Sequence, residues 1–102
     1  PDEEMMAEIV KVHHPHLDDY LVQKAIEAFY SLRNVSGLLK KPSTSELLDW
    51  VQALALGGVD PDRLSKELPF IGVLLKKNQD LERISYQYRG TRQKAFTFGH
   101  RG

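Results

Sequence analysis

Apolar residues recur along this chain at helical spacing, not in the alternation of strands. Met5, Met6, Ile9, Val10 and His13 fall at i, i+1, i+4, i+5 and i+8 behind Asp2-Glu3-Glu4, acids that suit the positive end of a helix. A first amphipathic helix is predicted here. It stops before Pro15, because the residue ahead of a proline is driven out of the helical region and proline itself has no ladder donor. Asp18 or Asp19 can cap a second helix in which Val22, Ala25, Ile26, Phe29 and Leu32 share one face. That helix is expected to end around Asn34, with Gly37 in the connection.

The third segment opens on Pro42-Ser43-Thr44-Ser45-Glu46. Ser43 and Glu46 have the spacing of a capping box, in which the hydroxyl accepts from the backbone of Glu46 and the carboxylate reaches back. Leu47, Leu48, Val51, Leu54 and Ala55 form the expected buried stripe, Trp50 lies toward its edge, and Gly57-Gly58 ends the helix. Asp60-Pro61 then starts a short helix through about Glu67, interrupted by Leu68-Pro69. Phe70 to Leu75 reads as a buried helical turn or a short strand, and helix is preferred because everything before it is helical. Asn78 to Ile84 adds one or two further turns.

The apolar periodicity is lost after Lys77, and beyond Tyr86 disorder is expected. The stretch is cationic, holds three glycines and only scattered aromatics, too little apolar surface to offset the entropy of ordering it. The expected fold is therefore all-α: a bundle of four to five short helices over residues 1–84, followed by a basic flexible tail over 85–102.

Composition narrows the function. With 102 residues the chain suits one compact domain. Without cysteine it can hold neither a disulfide nor a thiolate metal site, which permits a reducing, cytoplasmic setting. The 14 Lys and Arg balance the 14 Asp and Glu, so no net field draws nucleic acid or an acidic membrane. The distribution is uneven: Arg83 to Gly102 carries five cations and no acid. No apolar run approaches the roughly 20 residues of a membrane span. The opening Pro1-Asp2-Glu3-Glu4 reads as an internal cut, so the chain is treated as a fragment.

Candidate chemistry is sparse. No Gly-rich turn followed by Lys and Ser or Thr is present to cradle phosphates, so the fragment is not expected to hydrolyse ATP alone. His13, His14 and His16 are close in sequence, but neighbouring helical side chains diverge by about 100° and Pro15 interposes a bend, so a surface helix end is preferred to a metal chelate. Capping explains Ser43, Thr44 and Ser45 without a nucleophilic role. The same helix start presents free amides, with Lys40 and Lys41 immediately before it, and such an end can face an anion such as a nucleotide phosphate. Tyr86, Tyr88, Phe96 and Phe98 interleave with cations in a pattern known from single-strand binding, although a solvated tail is the preferred reading and nucleic acid is not the expected partner.

The string Lys40-Lys41-Pro42-Ser43-Thr44-Ser45-Glu46-Leu47-Leu48-Asp49-Trp50 closely resembles the C-terminal lid of bacterial MoxR-type AAA+ ATPases. Pro1-Asp2-Glu3-Glu4 is similar to the family's passage out of the last core strand, Ala25 to Arg33 to a lid helix ending in Leu-Arg, and Leu68 to Lys76 to the closing segment. The resemblance covers about residues 1 to 82. One departure stands out: many AAA+ lids carry a sensor arginine in the first turn of this helix, where this chain has Ser43, Thr44, Ser45 and Glu46. Lys41 or Arg33 are the conjectured substitutes.

The resemblance implies a parent ATPase whose core, elsewhere in the same chain, holds ATP and Mg. It further implies a homo-oligomeric ring, contact between the lid and the neighbouring subunit, and chaperone-like remodelling of proteins, often with a partner carrying a von Willebrand factor A domain. Lys41, Ser43, Thr44 and Ser45 are then the nucleotide-facing residues, with no catalytic or metal-binding residue in the fragment. The alternative is a free-standing helical module that docks a protein or nucleic acid.

Overall fold

The second helix is the element around which the others assemble. In the computed structural model, which describes residues 2–88, the chain forms α1 (Glu3–His13), α2 (Asp19–Arg33), α3 (Thr44–Leu56), two 3-10 turns (Pro61–Ser65 and Ile71–Val73) and α4 (Asn78–Ser85). There is no strand among the described residues, and none of their helices is long and apolar enough to cross a membrane. The small all-α bundle expected from periodicity is the observed fold.

Local chemistry sets each boundary. Asp2 accepts from the Met5 amide at 2.8 Å, satisfying one of the four amides a helix start leaves unpaired. Of the two candidate caps for α2, Asp18 is the one used, accepting from Leu21 N at 3.0 Å. The neighbouring Asp19 instead pairs with Lys11 at 2.6 Å and ties α1 to α2. Asn34 ends α2, and Gly37 in the connection has φ of 87°, a backbone state that favours glycine.

The core joins all the helices. Val10 of α1, Leu32 of α2, Leu47, Val51 and Leu54 of α3, and Ile84 of α4 are fully buried. α2 packs against α1, α3 and the first 3-10 turn, and Tyr20 donates to Asp62 at 2.5 Å across that last contact.

Trp50 departs from its expected place at the edge. It is fully buried, and the α3 stripe runs through Leu47, Trp50, Val51 and Leu54, while Leu48 and Ala55 are half-buried. The cause lies downstream: Leu68-Pro69 covers this face of α3, and the Trp50 indole N–H donates to the Pro69 carbonyl at 2.6 Å. That gives the buried ring a partner for its polar edge.

The segment after Pro69 also differs from expectation. It contains a single 3-10 turn, Ile71–Val73, and buries Leu74 and Leu75. Phe70 turns outward, 50% exposed, at φ 58° and ψ 34°, a left-handed state that costs an ordinary residue about 1–2 kcal/mol. Its ring lies against Gly57, where an added Cβ would stand 2.9 Å from two ring carbons. The stretch expected as helix from Asp60 forms only the 3-10 turn Pro61–Ser65, with Asp60 accepting from Asp62 N at 3.0 Å.

The basic tail was expected from residue 85. Ser85 still belongs to α4 and half-buried Tyr88 packs against the core. Residues 89–102, with Phe96 and Phe98, lie outside the described residues.

Candidate functional site

The start of α3 gathers the residues singled out by the sequence. Ser43 adopts an extended conformation (φ −92°, ψ 170°) and its hydroxyl accepts from Glu46 N at 3.2 Å, while Glu46 Oε1 accepts from Ser43 N at 2.8 Å. The capping box is complete. Lys40 adds an ammonium 3.3 Å from both Glu46 oxygens. Burial pushes the Glu46 carboxyl upward, but the Ser43 amide, the Lys40 ammonium and the Ser43 hydroxyl outweigh it and hold the group below its ordinary value.

This arrangement divides the predicted residues by role. Ser43 and Lys40 are committed to Glu46, which already sets a negative charge at this helix end. Lys41 and Ser45 are exposed, and Lys41 forms no ion pair among the described residues. Thr44 is half-buried and lines a cleft of about 110 Å³ with Met6, Phe29, Tyr30 and Arg33. The amides of Thr44 and Ser45 are the first two of α3 and have no hydrogen-bond acceptor among the described residues. What the helix start can offer an incoming anion is therefore Lys41 together with these two amides.

Arg33, one conjectured substitute for a sensor arginine, reaches this region but is engaged. Its Nη1 donates to the Pro42 carbonyl, and its guanidinium sits 5.6 Å from the centre of the Phe29 ring. It braces the entry into α3.

Sequence reading missed a second brace. Asp80 of α4 is 1% exposed and accepts from Leu39 N at 2.7 Å and from Lys40 N at 3.1 Å. One turn later, the Arg83 guanidinium lies so close to Gly37 that a Cβ there would meet its central carbon at 2.7 Å. The available signal was the position of Asp80 four residues before Ile84, on the only stripe of α4 that faces the core.

The histidines do not converge. His13 Nδ1 bonds the Ile9 carbonyl of its own helix at 3.0 Å, His14 Nε2 bonds the Leu48 carbonyl of α3 at 3.2 Å, and His16 is exposed. No group of three His, Asp or Glu side chains among the described residues has the arrangement to hold a metal ion.

No family model, curated protein or solved structure matches this chain. The functional reading therefore rests on the residues themselves.

Proposed function

We propose that this chain is the lid subdomain of a MoxR-type AAA+ ATPase, closing over a nucleotide bound by a core elsewhere in the same protein. The observation that carries the reading is the start of α3. An exposed lysine, Lys41, precedes in the chain the two open amides of Thr44 and Ser45, in a segment braced from both sides. An ammonium and a helix N-terminus are complementary to a phosphate oxygen. The likeness of Lys40 to Trp50 to the family's lid string supports the same reading.

In this proposal Lys41 contacts a nucleotide phosphate while Ser43 and Glu46 keep the first turn closed and Thr44 and Ser45 present their amides. Arg33 acts on the backbone of Pro42 and is assigned no phosphate contact. Bound ATP and Mg belong to the core, the phosphate being the chemistry the nucleotide brings to this helix end. The parent is read as a cytoplasmic ring of identical subunits that remodels other proteins, the lid meeting its own core, the neighbouring subunit and, in some assemblies, a von Willebrand factor A domain protein.

The test is ATP turnover and assembly of the full-length protein with residues 1–88 deleted and, separately, with Lys41→Ala. A fall in turnover at limiting ATP for both supports the reading. Unchanged turnover and assembly in the deletion remove it.

A further inference from the structure

Asp80 is the one buried charged side chain among the described residues, and the capping box at the start of α3 does not include it. Burying a carboxylate is costly unless its oxygens are fully met, so what this one accepts is informative. Each oxygen takes a different amide, Oδ1 that of Leu39 and Oδ2 that of Lys40. Both amides lie in an irregular stretch where neither helix nor sheet supplies acceptors, so without Asp80 they would have to find water.

The consequence is geometric. The amide of Lys40 is fixed by Asp80, and the carbonyl of Pro42 is fixed by Arg33. Lys41 is the single residue between these two anchors. The exposed Arg83 guanidinium also packs beside Gly37, further back in the same connection. The backbone on either side of the exposed ammonium is thus set by α2 from one direction and by α4 from the other.

We propose that Asp80 is a positioning residue for Lys41, fixing through the Lys40 amide where that ammonium stands at the start of α3, so that α4 governs how this helix end meets a phosphate. The inference rests on reading the α3 start as phosphate-facing. The choice of side chain agrees with it: a carboxylate offers two acceptors, whereas Asn at the same place would offer one and turn an NH₂ group toward the second N–H.

The experiment measures steady-state ATP turnover of the full-length protein carrying Asp80→Asn, Lys41→Ala, or both, together with amide hydrogen exchange at Leu39 and Lys40. The expected result is that Asp80→Asn lowers protection of those two amides and raises KM for ATP about three- to tenfold, and that this rise vanishes when Lys41 is already Ala, because residues acting through one another are not additive. A loss of structure alone would give the same penalty in both backgrounds. Arg83→Ala, which leaves the buried carboxylate in place, should show the same dependence on Lys41 with smaller size and serves if Asp80→Asn does not fold. If Lys41→Ala raises KM and the Asp80 and Arg83 effects simply add to it, positioning is refuted while the lid reading stands. If Lys41→Ala leaves KM unchanged, the phosphate-facing role of Lys41 fails and the inference falls with it.

Discussion

Trp50 and Pro69 form a buried hydrogen bond, the indole N–H donating to the prolyl carbonyl at 2.6 Å across 19 residues of sequence. The pair fastens the irregular Leu68–Leu75 stretch to the middle of α3. Trp50→Phe removes the donor and leaves a void beside a buried carbonyl, so a loss on the order of 2–4 kcal/mol is expected. Chemical denaturation followed by circular dichroism measures it, and a loss below about 1 kcal/mol would show that the pair does not hold the segment down.

Phe29 is 1% exposed at the centre of the α2 face. Truncation to Ala should cost about 3–5 kcal/mol, a large share of the stability of a domain this size. A melting temperature lowered by only about a degree would contradict its place in the core.

Glu46 makes stability depend on pH in a definite direction. Burial raises its pKa, the Ser43 amide, Lys40 and the Ser43 hydroxyl lower it more, and the net value lies below the ordinary 4.5 or so. A carboxyl with a depressed folded pKa contributes stability that is present above its unfolded pKa and is lost as pH falls through the folded one. Thermal unfolding of the native chain and of Glu46→Gln from neutral pH down to about 3 should therefore give two curves that approach each other in acid and separate above the ordinary carboxylate range. Parallel curves would show that the capping carboxylate is not the cause.

Gly58 has φ of 63° with no atom within 4 Å of where a Cβ would stand. Gly58→Ala should cost about 1–2 kcal/mol from backbone conformation alone, and Gly58→Asn less, since Asn tolerates the left-handed region better. Equal losses for the two variants would point to a lost contact.

Much of this fold was legible because its helices are amphipathic and explicitly capped. Asp2, Asp18, Ser43 and Asp60 each accept from the backbone of the helix or turn they open, a local relation that spacing reveals. Trp50 was misplaced because its burial depends on Leu68-Pro69 folding back over α3, which periodicity within α3 cannot show. Phe70 was misplaced for a related reason: apolar character predicts burial, yet the left-handed turn after Pro69 aims the ring at Gly57 and solvent.

The candidate site was legible to the same extent. Lys41, Ser43, Thr44 and Ser45 are neighbours in the chain, and the capping box follows from their order. Their bracing is not local: Asp80 reaches Leu39 across 41 residues. An acid in a short polar helix looks like ordinary surface unless its offset from Ile84 is noticed.

That long reach also orders events during synthesis. α1, α2 and α3 can begin to pack as they emerge, with Arg33 already able to reach Pro42, but the amides of Leu39 and Lys40 lack their acceptor until α4, forty residues behind Lys40, has been made. The end of the molecule proposed to meet phosphate is thus completed only with α4, and a truncation short of Asp80 would remove both the acceptors of those amides and the buried Ile84, loosening that end together with the core it packs on.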